Sequence, residues 1–409
     1  MLIRLLQVNY IRLDMIKAIL ALPRTVWLIG LISLVNDSAS EMIYPLMPLY
    51  LASVLMAGPK ALGIIEGVAE ATSSIFKLVS GVIVDRTKKA KPWIVIGYTL
   101  ASIGKPLILL ANSWLWVLAI RFTDRVGKGL RSSPRDALLA ESVKEDQRGI
   151  TYGLHRSMDN AGAVIGPLLA AMFLSIGFSL QDIFLWTIVP GIITVTLALC
   201  IKEPTREAIS QESQFSWSLE GMPNQFKRYL VVAGIFTLGN SSDMFLLLRA
   251  REAGVPQEQI PLLWAVISLI TTVFGTPLSA LSDTFGRKRF ILIAWIAFAF
   301  FYITMGLPGI SIYQIFALFG IYGLFKAATE GVEKALVADL APKGMAGTAF
   351  GWFNLVSGLM LLPASLIFGW LYESFNPSYA FLFSGSCAGL AFLLLGFWVF
   401  RAPEMQNPR

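Results

Sequence analysis

The sequence predicts an all-α membrane protein of about twelve transmembrane helices, arranged as two pseudo-symmetric six-helix bundles. Three observations predict it. The chain is 56% hydrophobic and only 14% charged, with a mean hydropathy of +0.66, whereas soluble chains carry about 25% charged residues. Apolar runs of about 20 residues, each long enough to cross a bilayer as a helix, recur along nearly the whole length. A single displacement of 198 residues also lays motifs of the first half over the second. It carries GVIVDRTKKAK at 81 onto SALSDTFGRKR at 279, ALLAES at 137 onto ALVADL at 335, and Lys128 onto Lys326. Gly149 and Gly153 fall on Gly347 and Gly351 in the same way. Repeated halves of this kind are a transporter pattern.

In chain order, residues 1–24 carry Arg4, Arg12, Lys17 and Arg24 among Leu and Ile. They read as an amphipathic helix on the cytoplasmic surface, with no small-residue cleavage site. Apolar spans at 25–55, 61–84, 92–111, 114–138, 150–174 and 183–201 make an N-terminal bundle over 25–201. Residues 202–228 are the one long polar stretch and read as a cytoplasmic linker. Spans at 229–250, 261–282, 290–306, 313–338, 346–372 and 380–400 make a C-terminal bundle over 229–409, ending in a short tail.

Lys and Arg gather in every second connection: Arg86, Lys88, Lys89 and Lys91, then Lys202, Arg206, Lys227 and Arg228, then Arg287, Lys288 and Arg289. The intervening connections hold little beyond Lys60, Arg249 and Arg251. By the positive-inside rule both termini are cytoplasmic, in a multi-pass protein of the cytoplasmic (inner) membrane. The net charge of +7 has the same origin and does not point to nucleic acid. Cys200 and Cys387 lie far apart in apolar runs, and His155 stands alone. No disulfide framework, metal centre or cofactor is expected. A membrane-embedded enzyme would need a nucleophile with a base, or a metal cluster, in one layer, and the spacing supplies neither.

The segment IRFTDRVGKGLRSSPRDALLAE, 120–141, is the anomaly in this oily chain. A phosphate loop would need Gly-Lys-Ser/Thr between a strand and a helix, but Gly129 follows Lys128 and the preceding run is a membrane helix. At about 100° per residue, Arg121, Arg125, Lys128 and Ser132 form one stripe, flanked by Asp124 and Arg131. Charges are costly in lipid, so this face turns toward partners or a water-filled pathway. Arg131, Arg135 and Asp136 are expected to reach the cytoplasmic surface.

Counting about 1.5 Å of rise per residue puts Asp37, Glu41, Glu66, Glu70, Lys105 and Arg121 in a common layer. Crowded, poorly solvated acids favour a protonated carboxyl, which a proton-coupled machine needs. The competing reading is a static ion-pair cluster, with Lys105 bound to Glu66 or Glu70. Asp37, Glu41 and Tyr44 share a face of span one. Asp243 lies near the midplane of span seven, and Lys326, Glu330 and Glu333 share a face of span ten. Asn36 and Asn240 occupy comparable places. His155, Arg156 and Asp159 fall near the cytoplasmic end of span five, where a solvated or inter-helix role is expected.

Gly81-Val-Ile-Val-Asp85-Arg86-Thr-Lys-Lys89 resembles the G-x-x-x-D-R-x-x-R/K-K loop of the major facilitator superfamily. A second copy at 279–289 keeps Asp283, Gly286, Arg287 and Lys288 but has Ser279 in place of the glycine. The resemblance spans the whole chain. It implies the major facilitator fold and alternating access, with Asp85 and Arg86 in an inter-bundle charge relay. Further motifs resemble the twelve-span drug:proton antiporter branch. Pro45-Leu-Met-Pro48 matches its paired prolines, Gly162-x-x-x-Gly166-Pro167 its antiporter motif, and Arg121 with Gly127 its span-four motif. Arg125 stands where that last motif has glycine, and Asp124 where it commonly has glutamine, which makes this cavity more charged.

The expected function is proton-coupled secondary transport, with efflux of a small polar or amphiphilic molecule by a monomer. The alternative is a proton symporter importing an organic anion or metal chelate. Candidates for proton coupling are Asp37, Glu41, Glu70 and Arg121. Candidates for contact with substrate are Asp37, Tyr44, Arg125, Lys128, Asp243, Lys326 and Glu330. Conformational gating falls to Gly81, Asp85, Arg86, Asp283 and Arg287, together with Gly162, Gly166 and Pro167.

Overall fold

A chain in lipid must satisfy its backbone polar groups internally, so its apolar runs become helices. The computed structural model describes residues 20–87, 89–144, 147–203, 218–342 and 345–400. Nearly all of the expected N-terminal amphipathic segment, and 204–217 of the linker, lie outside them. The helices of the first half are α1 Arg24–Ser53, α2 Pro59–Thr87, α3 Lys91–Leu110, α4 Trp114–Glu141, α5 Arg148–Ser175 and α6 Leu180–Leu199. Those of the second half are α7 Asn224–Glu252, α8 Ile260–Phe285, α9 Arg287–Met305, α10 Ile312–Leu340, α11 Ala346–Ser374 and α12 Pro377–Val399.

Ten of these rods are long and apolar enough to cross a membrane. The other two, α2 and α4, carry the charges that meet at the molecule's centre. The displacement seen in the sequence recurs in the helices. Thr87 ends α2 as Phe285 ends α8, Trp114 opens α4 as Ile312 opens α10, and Arg148 opens α5 as Ala346 opens α11.

Local chemistry accounts for the irregularities. Proline lacks an N–H, so Pro45 and Pro48 tighten α1 into a 3₁₀ turn at Tyr44–Leu46 before the helix resumes at Met47. In α7 the helix stops at Gly239 and restarts at Met244, leaving Asn240, Ser241, Ser242 and Asp243 out of the helical ladder. Such breaks at membrane depth are tolerated only where they are buried in protein or line a cavity. Helix α6 opens on a reciprocal capping box between Ser179 and Asp182.

The halves meet along two seams, α2 on α11 and α5 on α8, which the repeat relates to each other. One apolar core runs from the C-terminal half across into all six helices of the first half. It does so at the end of the bundle away from the basic loops. At the basic end the N-terminal half has its own core, including Ile29, Ile94, Tyr98 and Leu138, which does not merge with the other. The halves are therefore joined at the far end and parted at the basic end. Large apolar side chains such as Ile192, Ile293 and Phe300 point outward, as a bilayer solvent requires.

Glycines set how closely helices approach. A Cβ on Gly162 would lie 2.6 Å from the Leu34 carbonyl oxygen, and one on Gly166 would fall on the Ser38 carbonyl and 2.8 Å from the Met42 nitrogen. The G-x-x-x-G-P motif is thus the surface that seats α5 on α1.

Candidate functional site

The charged layer foreseen at the centre exists, and its pairings are specific. Helix α4 turns Arg121 and Arg125 toward α2. Arg121 grips Glu66 through Nη2 at 2.5 Å and Nε at 3.1 Å, and Arg125 holds Glu70 at 3.2 Å. Arg121 also lies 3.9 Å from Asp124. Lys105 does not pair with either glutamate, as the cluster reading expected. Its Nζ donates to Asn36 Oδ1 at 2.8 Å, and Asn36 Nδ2 donates in turn to Asp37 at 2.9 Å. Arginine wins the two glutamates because α4 and α2 pack face to face, which leaves α3's lysine nearer to α1.

The second half contributes its own pair. Asp243, at the α7 break, accepts from Tyr322 Oη at 2.5 Å and from Lys326 Nζ at 2.6 Å. Lys326 lies 5.3 Å from the Trp264 ring centroid. Its mate in the repeat, Lys128, is exposed and makes no ion pair among the described residues. It is within electrostatic reach of Glu70 and Asp37 and of Glu41. Arg125 Nε is buried without a hydrogen-bond partner. Asp37 has no cation at ion-pair distance among the described residues.

Three contacts tie the halves together here. Trp264 Nε1 donates to Glu41 at 2.6 Å, Tyr44 packs against the Trp264 ring at 4.7 Å between centroids, and Ser242 donates to Glu66 at 3.2 Å. The Trp264→Phe variant keeps an aromatic ring and removes the donor. It is expected to weaken closure of the far end by about 1–3 kcal/mol, measured as faster labelling of a cysteine placed on the cavity face of α1.

Below this layer, toward the basic end, lies a cleft of about 540 Å³ between α4 and α5 on one side and α8 and α10 on the other. Arg135 and Asp136 line it, bound to each other at 3.0 Å. Arg131 does not reach the surface as expected. It is 5% exposed and lies over the Tyr98 ring at 4.6 Å, because the aromatic face of α3 gives the guanidinium a buried cation–π seat.

His155 and Asp159 border the same cleft. His155 Nε2 shares a hydrogen bond with Ser33 at 2.9 Å, and its Nδ1 lies 3.6 Å from Asp159. This Ser–His–Asp order is that of a hydrolase, but Ser33 is buried inside a continuous helix whose N–H groups are already used. No oxyanion site can form around it.

At the far end, Lys60 pairs with Glu373 at 3.6 Å. There α2 and α11 touch backbone to backbone through Gly63, Ser365 and Gly369. Among the gating candidates, Gly81 has room for a Cβ, its nearest neighbour being Ser133 at 3.6 Å. Arg287 binds Asp339 at 2.6 Å within its own half. The side chains of Asp85, Arg86, Asp283 and Glu330 lie outside the described residues. Glu333 turns away from the cavity to accept from Trp295 at 3.1 Å.

Sequence reasoning missed Trp264 and Ser242, which carry the cross-half contacts, and Tyr322, which holds Asp243 within the second half. It also missed the seam glycines, although Gly63-x-x-x-Gly67 and Ser365-x-x-x-Gly369 are small-residue patterns of the kind that pack membrane helices.

The family model described as Major Facilitator Superfamily matches residues 29–248 and 229–409. The chain is similar to the uncharacterized MFS-type transporter MJ1317 of Methanocaldococcus jannaschii, 34% identical over 384 residues, covering 92% of this chain and 95% of that one. It is 23% identical over 385 residues to the multidrug resistance protein MdtH of Salmonella arizonae, covering 90% and 91%. In fold it is similar to the nucleoside transporter NupG, with a TM-score of 0.77 at 11% identity, covering 91% of this chain and 99% of that one. A POT family transporter in complex with a thioalcohol conjugated peptide gives a TM-score of 0.76 at 13% identity, covering 92% and 98%.

Proposed function

The chain belongs to the major facilitator superfamily and is a membrane-embedded transporter, and from that premise we propose that it exports a small polar or amphiphilic molecule in exchange for protons. The observation that carries the coupling is the isolation of Asp37. Glu66 and Glu70 are each locked to an arginine, whereas Asp37 accepts from the Asn36 amide and has no cation at ion-pair distance among the described residues. A carboxylate that no cation ties down at ion-pair distance stays available to exchange a proton during the cycle. Glu41, held by a neutral indole, is the second carrier. Arg121 binds Glu66 rather than Asp37, so its part is to hold α2 and α4 in register.

Substrate contacts fall to the donors left uncommitted, Lys128 and Arg125 Nε, with Tyr44 and Trp264 as the aromatic wall. The Asp243–Lys326 pair opens to admit a polar group. With the basic end on the cytoplasmic side, the open cleft receives substrate from the cell interior. Gly81, Asp85, Arg86, Asp283 and Arg287 then close that end in the opposite state, while the Gly162–Gly166–Pro167 surface keeps α1 and α5 together. The kinship with a protein named for multidrug resistance supports export. A proton symporter that imports an organic anion is the second reading, and the unpaired Lys128 is what favours it.

The test compares small-molecule profiles of cells and medium for overexpressed wild type and Asp37→Asn at matched expression. A compound enriched in the medium with wild type alone is the expected result. Enrichment inside the cells would select the importer, and equal profiles would remove Asp37 from the mechanism.

A further inference from the structure

The chain's one histidine has no part in the central pairings, yet it is 5% exposed inside a membrane-spanning bundle. Polar groups are costly at that depth and are usually fully bonded. Here, however, the adjoining carboxylate is left incomplete: Asp159 Oδ1 is buried without a partner. Both residues border the 540 Å³ cleft. On its inner side His155 reaches Ser33 at 2.9 Å, and Asp37 lies on α1 four residues beyond Ser33, about 6 Å along the axis. The glycine at 162, one turn above Asp159, lets α5 come so close that a Cβ there would lie 3.1 Å from the Asp37 Cβ.

We infer that Asp159, His155 and Ser33 form a proton relay that connects the basic-end cleft to Asp37. The inference rests on the proton-coupled reading above. Asp159 takes a proton from cleft water and passes it to His155 Nδ1. The imidazolium releases its Nε2 proton to Ser33 Oγ, and the serine's own hydroxyl proton leaves toward Asp37 across a gap that one water bridges. The forward pass leaves the ring protonated at Nδ1, and a proton returning from Ser33 to Nε2, with Nδ1 giving its own to Asp159, restores the starting tautomer. Run in reverse, the same chain discharges Asp37 into the cleft.

Other charged or titratable groups face the relay from each neighbouring helix. Asp37 does so from α1, Tyr98 from α3 through its 3.2 Å contact with Ser33, Arg135 and Asp136 from α4, Arg156 from α5 itself, and Lys334 from α10. Helix α8 lines the cleft with Gly275 and hydroxyl residues such as Thr271 and Thr276, and with no charged group among the described residues. The Arg135–Asp136 pair is internally neutralised, so Asp159 is the acceptor left for a proton entering from water.

The relay is a kinetic device, and its test is kinetic. The full chain in lipid nanodiscs is given a light-triggered pH jump, and time-resolved infrared spectroscopy follows the carboxylic C=O band that Asp37→Asn removes. His155→Gln, Asp159→Asn and Ser33→Ala are each expected to slow the growth of that band, on the order of 10²-fold, the lower range for a positioned acid–base group. Its final amplitude should not change. His155→Gln and Asp159→Asn keep side-chain size and hydrogen-bonding capacity, so either suffices if the other does not fold. Unchanged rates with the band present overturn the relay alone. If wild type shows no band that Asp37→Asn removes, the proton-coupled reading falls and the relay with it.

Discussion

Arg121→Met should cost the fold about 3–5 kcal/mol and abolish transport. Glu66 is 1% exposed, and its charge is met by two arginine nitrogens on one oxygen and a serine hydroxyl on the other. Removing the arginine leaves a buried carboxylate with a single neutral donor among the described residues. The companion variant Arg121→Met/Glu66→Met should regain most of the lost stability, because a well-packed apolar pair replaces a buried ion pair at little cost. Thermal unfolding in detergent measures both. Transport separates the roles further. If the double variant is stable but inactive, the pair belongs to the working cycle. If it recovers stability and transport together, the pair is a strut.

The second large effect concerns the far-end seam. Gly369→Val places side-chain carbon where the Pro59 carbonyl oxygen stands 2.6 Å from the glycine's Cβ position, with the Phe245 ring at 3.3 Å. Backbone cannot yield as a flexible side chain does, so the closed far end is expected to lose about 1–3 kcal/mol. Since about 1.4 kcal/mol is a factor of ten, the balance moves toward the far-end-open state by about one to two decades. Gly63→Val, against the Ser365 carbonyl on the same seam, should act alike. Spin labels at the far ends of α2 and α11, with Cys200 and Cys387 replaced, read the change as a longer distance population. An unchanged distance distribution would show that the seam has slack that the glycines do not reveal.

The fold was largely legible because lipid forces a plain code. Span length, basic loops and the 198-residue displacement all follow from bilayer thickness, charge placement and duplication, and the helix ends at Thr87 and Phe285 repeat what the motifs implied. The site was legible in its membership but not in its pairings. Hydropathy and helical phase bring Asp37, Glu66, Glu70, Lys105 and Arg121 to one layer. Which acid meets which base depends on helix rotation and neighbours, so Lys105 went to Asn36 and the arginines took the glutamates. Trp264 and Tyr322 were hidden because an aromatic in an apolar span looks like lipid-facing bulk until its polar atom is seen bonded to Glu41 or Asp243. Arg131 was misplaced because counting residues gives depth, and depth does not disclose the Tyr98 ring that receives it.

The central claim is that proton uptake at Asp37 drives substrate movement through alternating access. The most direct measurement uses proteoliposomes loaded with a pH-sensitive dye and with the compound that metabolite profiling identifies. Compound efflux and internal pH are followed together for wild type and Asp37→Asn. The account predicts that wild type acidifies the interior as the compound leaves, and that Asp37→Asn severs the two. Compound leaving wild-type vesicles with no proton entry, or Asp37→Asn exchanging both as wild type does, would contradict it.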